Sequence, residues 1–147
     1  MTVPIQIHAS CAARRGQGIL LTGPSGAGKS DLLLRLVDAG YDLVADDRVC
    51  LHDGWASAPP KLAGLLEVRG IGIIRMDWRA RVRVAAVARL VGVADYPPRL
   101  PGHPGHDRLT GLPEFFIDPA QSSAVARIGL VLDCAAGNRH LLDEGQM

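Results

Sequence analysis

Eight consecutive residues, Gly23-Pro24-Ser25-Gly26-Ala27-Gly28-Lys29-Ser30, match the pattern G-x-x-x-x-G-K-[ST] in full. That pattern marks a loop that wraps the phosphates of a nucleoside triphosphate. Glycines without side chains let backbone N–H groups converge on phosphate oxygens, and the positive end of the following helix adds to the attraction. Lys29 is expected to reach the β- and γ-phosphates of the nucleotide, and Ser30 to give its hydroxyl oxygen to Mg²⁺. The pattern alone names no reaction, because kinases, GTPases, motor ATPases and transport ATPases share it.

Such a loop works with a further carboxylate, commonly an Asp at the end of an apolar strand. Leu43-Val44-Ala45-Asp46-Asp47 and Ile128-Gly129-Leu130-Val131-Leu132-Asp133 both have that form. The first is favoured, because an adjacent parallel strand in a β-α-β unit presents its C-terminal end beside the loop. Asp133 reads instead as a helix residue behind an apolar face. Neighbouring side chains on a strand point to opposite sides. One of Asp46 and Asp47 is therefore expected to accept a proton from a hydroxyl while the other faces the metal. Taken by themselves, Glu67-Val68-Arg69 also read as a cross-strand ion pair on a solvated face, and His8 as a surface residue at a strand end. His103 and His106 fit a polar lid better than a metal site.

The elements that must hold these residues are legible in outline. Val3 to Ile7 suggests an edge strand, since Pro4 cannot donate to a ladder, and Ile19 to Thr22 a buried strand entering the loop. Apolar residues at 32, 33, 34, 36 and 37 predict a helix over Lys29 to Ala39, stopped by Gly40. Asp42 to Ala45 is a second buried strand, and Asp53-Gly54 predicts a tight hairpin turn between Arg48–His52 and Trp55–Ala58. Leu65 to Ile74 and Val82 to Val91 read as further strands. Gly92 to Pro113, rich in Pro, Gly and His, predicts an irregular loop, and Asp118-Pro119 the start of a helix running towards Ala136. No repeat or long linker divides the chain, so a single α/β domain over residues 1–147 is expected.

Composition narrows the function classes. The 147 residues are 48% hydrophobic and 21% charged, with a net charge of +1, so no global field favours nucleic acid or a membrane surface. Only 4% are aromatic, which leaves little material for stacking on single-stranded nucleic acid. Cys11, Cys50 and Cys134 form no metal-binding pair and fit a reducing cytoplasm, and there is neither a signal-peptide pattern nor a run of 18 apolar residues.

Taken in order, His8, the phosphate loop, Leu43-Val44-Ala45-Asp46-Asp47 and Leu66-Glu67-Val68-Arg69-Gly70-Ile71-Gly72-Ile73-Ile74 resemble the catalytic domain of HPr kinase/phosphorylase. This bifunctional serine kinase acts in the bacterial phosphotransferase system. The resemblance runs from residue 5 to about 80 and implies a P-loop domain with a mixed sheet, of the HPr kinase and phosphoenolpyruvate carboxykinase type. It also implies roles: Asp46 as the base towards the target serine and the acid in reverse phosphorolysis, Ser30, Asp47 and Glu67 as metal holders, Arg69 supporting phosphate charge, and His8 near the reacting phosphoryl group. ATP, Mg²⁺ or Mn²⁺, the carrier protein HPr and a homo-oligomer, commonly a hexamer, come with the family. The chain resembles the short forms that lack an N-terminal domain, and the family's Pro-Arg-Pro-Gly-Arg-Asn segment has no counterpart in Phe115 to Val131. Two rival readings are a small-molecule kinase with Gly102 to His106 as a substrate lid, and an ATP-sensing regulator that transfers nothing.

Overall fold

The computed structural model describes residues 3–96, 105–142 and 144–146. Its strands are β1 (Ile5–His8), β2 (Ser10–Arg14), β3 (Gln17–Thr22), β4 (Asp42–Ala45), β5 (Arg48–His52), β6 (Trp55–Ser57), β7 (Leu65–Val68), β8 (Gly72–Arg75), β9 (Val82–Leu90), β10 (Gly105–His106) and β11 (Pro113–Ile117). Two α-helices, α1 (Lys29–Asp38) and α2 (Ala124–Ala135), pack with them. The main sheet runs β1-β5-β6-β9-β3-β2-β4, with β11 also beside β9 and β10 beside β11. It is mixed, since β3 and β11 pair with β9 in parallel and β6 pairs with it antiparallel.

Asp46 and Asp47 join β4 directly to β5, and Ala9 joins β1 to β2. Strands at opposite ends of the sheet order are thus consecutive in the chain, and the sheet curls until its ends meet. The Ala9 N–H donates to the Asp47 carbonyl at 3.2 Å across that seam. Curling gives two apolar layers. Ala9, Cys11, Ala13, Leu20, Val44, Val49, Leu51, Val82 and Val84 fill one, while Ile19, Leu21, Leu43, Ala86, Ala88 and Leu90 face α1, α2 and Leu66 in the other. An extra residue, Ala85, sits between the pairs Gly18↔Val84 and Ile19↔Ala86. This bulge reverses the facing of β9, so Val82 and Val84 belong to one layer and Ala86, Ala88 and Leu90 to the other.

Helix α1 buries Leu32, Leu33 and Leu36, as its periodicity predicts. It stops at Gly40, where φ is 102°. There the Tyr41 N–H donates to the Leu36 carbonyl and the Gly40 N–H to the Val37 carbonyl, both at 3.0 Å, which satisfies the last carbonyls of the helix.

Several expectations are corrected. Strand β4 runs parallel to β3 but is not its neighbour, because β2 lies between them and pairs antiparallel with both. The segment Leu65 to Ile74 is not one strand but a hairpin, β7–β8, in a separate two-stranded sheet. Helix α2 starts at Ala124 and not at Asp118. Asp118 instead accepts the N–H of Ala120 at 2.8 Å, closing a local turn that competes with a helix start. The stretch Gly92 to Pro113 is irregular in its described parts, apart from β10 and short turns. The proposed Gly102 to His106 lid lies mostly outside the described residues, as does His103.

Candidate active site

Beyond β3 the chain turns into the phosphate loop with φ of 143° at Gly23, 84° at Gly26 and 101° at Gly28. Gly28 allows no alternative. It combines that left-handed φ with a Pro119 ring carbon 3.2 Å from where a Cβ would stand. Lys29 is buried, and its ammonium donates to the carbonyls of Gly23 at 2.8 Å and Pro24 at 3.0 Å. An ammonium has three hydrogens, so one remains for an anion held in the loop. Burial lowers the Lys29 pKa below its ordinary value, opposed by the negative charges of Asp47 and Asp46.

The two aspartates sit at the seam and have different surroundings. Asp46 is buried, and its Oδ1 accepts the Ser30 hydroxyl at 2.7 Å and the Ser10 hydroxyl at 3.1 Å. Its Oδ2 accepts the backbone N–H of Glu67 at 3.1 Å, which ties the β7–β8 hairpin to the phosphate loop through one carboxylate. Asp47 is 58% exposed, adopts φ 68° and meets His8 Nε2 with its Oδ1 at 2.5 Å. Ser30, Asp46, Asp47, His8 and the backbone of Glu67 are therefore gathered around the loop.

Glu67 and Arg69 are exposed, and among the described residues neither has an ion pair. Glu67 lies opposite Ile73 in the hairpin, not opposite Arg69, so the alternative of a mutual cross-strand pair does not hold. Arg69 opens the turn of that hairpin. Asp133 is far from this constellation in role. It pairs with Arg14 at 2.7 Å and pins α2 to the end of β2, as expected of a helix residue.

A divalent cation fits what is present. By donating to Asp46, the Ser30 hydroxyl keeps its lone pairs free to meet a cation. Among the described residues no group of three His, Cys, Asp or Glu side chains forms a closed metal cage. Mg²⁺ does not need one, since it is held by one or two protein oxygens together with phosphate and water.

Sequence reasoning missed Ser10, which is completely buried between the two aspartates. No local pattern announces it, because it stands in a strand of small residues, Ser10-Cys11-Ala12-Ala13, that lacks β-branched or alternating character. It also missed Pro119 as a contact of the phosphate loop. Arg35 of α1 fixes that proline by donating to its carbonyl at 2.5 Å. An apolar cavity of about 340 Å³, lined by Ile5, Leu51, Val84 and Leu112 among others, lies at the other end of β5 and contains none of these residues.

Comparison with known proteins agrees with this architecture. Residues 1–79 match the family described as HPr Serine kinase C-terminal domain. HPr kinase/phosphorylase of Aromatoleum aromaticum is 36% identical over 125 residues, covering 74% of this chain and 40% of that protein. The protein of the same name from Lacticaseibacillus casei is 50% identical over 64 residues, covering 40% of this chain and 20% of its own length. The chain thus spans well under half of these relatives. A solved structure, the Hpr(Ser) kinase/phosphatase from Coxiella burnetii, superposes with a TM-score of 0.78 at 25% identity, covering 91% of this chain and 92% of the other. With the family match covering more than half its length, the chain belongs to the HPr serine kinase C-terminal domain family.

Proposed function

We propose that this chain catalyses ATP-dependent phosphorylation of a serine hydroxyl on the phosphocarrier protein HPr, with phosphorolysis as the reverse reaction. The observation that carries this reading is the division of labour at the seam: Asp46 is consumed by Ser30, Ser10 and Glu67, while Asp47 is open to solvent beside His8. The loop backbone and the free hydrogen of Lys29 bind the triphosphate, and Ser30, oriented by Asp46, holds Mg²⁺ or Mn²⁺ with Glu67. The cation, held there by Ser30 and Glu67, would supply positive charge to offset the negative charge of the phosphates.

The family resemblance implies Asp46 as base and Asp47 beside the metal; the geometry supports the reverse. A base needs reach to an incoming hydroxyl, and Asp47 has that exposure whereas Asp46 is only 7% exposed. As the serine oxygen bonds to the γ-phosphorus and the bond to ADP breaks, Asp47 takes the serine proton. In phosphorolysis an oxygen of inorganic phosphate bonds to the phosphoserine phosphorus, the bond to the serine oxygen breaks with pyrophosphate as the product, and Asp47 returns a proton to the departing serine oxygen. His8 holds the Asp47 carboxylate in place, and Arg69, on the hairpin turn, supports charge on the transferred group. Action in the cytoplasm belongs to the same proposal; among the described residues no helix is long and apolar enough to cross a membrane. Assembly into a homo-oligomer belongs to the same proposal.

Labelled ATP offered to HPr, or to no acceptor, tests the reading with two variants. Asp47→Asn is expected to lose about 10²- to 10⁴-fold in transfer, with ATP affinity within about tenfold, because only proton acceptance is removed. Asp46→Asn should weaken binding of metal-loaded ATP as well. If instead only Asp46→Asn showed selective loss of transfer, the base would be Asp46. ATP binding with no transfer to HPr would leave an ATP sensor.

A further inference from the structure

Among the described residues only Ser10, Lys29 and Asp46 are buried polar or charged groups. Lys29 and Asp46 already have work in the site; Ser10 has none assigned. Its hydroxyl donates to Asp46 Oδ1 at 3.1 Å and accepts the backbone N–H of Asp47 at 3.2 Å. One group with a single donor and spare lone pairs thus touches both aspartates in the two directions open to it.

The Asp47 end is the more consequential. With φ at 68°, Asp47 holds a left-handed conformation, which is uncommon for a residue other than glycine and is held by the contacts of its neighbours. Three contacts do so: its N–H on Ser10, its carbonyl on the Ala9 N–H, and its carboxylate on His8. The conformation turns the chain from β4 into β5 with the Asp46 side chain inward and that of Asp47 outward. Packing alone does not require a hydroxyl there. Ser10 stands opposite Leu21 of β3 and is completely buried, and an alanine would keep all of its side chain but the hydroxyl oxygen.

We infer that Ser10 is a positioning residue for phosphoryl transfer, fixing the backbone of Asp47 so that its carboxylate meets the acceptor hydroxyl. The inference rests on the reading of Asp47 as base. Ser10→Ala removes the acceptor of the Asp47 N–H while leaving Asp46 its contacts with Ser30 and Glu67, so damage should fall on the proton-transfer side and spare the nucleotide side.

The test uses the full chain with Mg²⁺, labelled ATP and HPr. Ser10→Ala is expected to lower kcat about tenfold or more while the KM for ATP stays within about threefold. Ser10→Cys, which keeps the volume but hydrogen-bonds weakly, should behave like Ser10→Ala and guards against a variant that fails to fold. In an Asp47→Asn background, Ser10→Ala should change kcat by less than about twofold, because residues acting as one unit are not additive. Independently of activity, hydrogen exchange at the Asp47 amide should speed up in Ser10→Ala. An unchanged kcat, a rise in KM for ATP in step with the fall in kcat, or a full multiplicative loss on top of Asp47→Asn would overturn the inference. Absence of transfer by the unaltered protein would refute the proposed reaction instead, and unaltered exchange at Asp47 would then still refute the anchoring by Ser10.

Discussion

Lys29 donates to two carbonyls of its own loop and keeps one hydrogen for a ligand, so its charge is aimed before any nucleotide arrives. Truncating it removes that aim without unfolding the loop, whose shape is set by Gly23, Gly26 and Gly28 and by the Ala27 N–H on the Pro24 carbonyl. Lys29→Ala is therefore expected to abolish ATP turnover and weaken ATP binding at least about a hundredfold, with an unchanged circular-dichroism spectrum. Full activity in that variant would remove the phosphate-loop assignment. At this scale the sequence was informative wherever chemistry follows from an unbroken string of residues, as in Gly23 to Ser30. It was uninformative for Ser10 and for which of Asp46 and Asp47 turns inward, because both depend on a backbone turn at the seam that places side chains 36 residues apart in contact.

At the scale of elements, local signals succeeded where one dipeptide fixes the geometry and failed where partners decide. Asp53-Gly54 forms the expected hairpin, with φ of 50° and 84°. The equivalent turn at Arg15-Gly16, φ 51° and 77°, was not legible, since arginine is no turn signal and β2 carries only small residues before Arg14. The Asp133 expectation survived for a physical reason: α2 is held to the β2–β3 hairpin by Arg14, which reaches Asp133 at 2.7 Å and the Gly129 carbonyl at 3.1 Å and lies over the Tyr41 ring. Both charges are about three-quarters buried. Asp133→Ala would leave the Arg14 guanidinium without its carboxylate, and a loss of roughly 1–3 kcal/mol in urea unfolding is expected. ATP affinity should not change, because α2 contributes no carboxylate to the loop. A selective loss of ATP binding with intact stability would revive Asp133 as the second carboxylate of the site.

The closure of the sheet belongs to the whole molecule, and no single segment encodes it: β1 and β4 end the strand order, yet meet through the Ala9 and Asp47 seam. One consequence is an interior layer with a thiol inside it. Cys11 is fully buried in that layer, and burial pushes its pKa up from 9.0 to about 12. The folded state therefore keeps the proton that the unfolded chain releases above pH 9, so the unfolded state binds fewer protons and stability falls as pH rises. The contribution is intact below pH 9 and is lost progressively towards pH 12, reaching on the order of 4 kcal/mol if the whole difference is expressed. Other groups titrate in the same window, so the comparison must be with Cys11→Ala. That variant is expected to start less stable, by about 1 kcal/mol for the lost packing, and then to lose less stability than the unaltered protein between pH 9 and 11. The same burial should protect Cys11 from alkylation in the folded protein while the partly exposed Cys50 and Cys134 react. Parallel stability curves for the two proteins across that range, together with labelling of Cys11 at the rate of Cys50, would mean that the seam opens readily and the interior layer is not closed in solution.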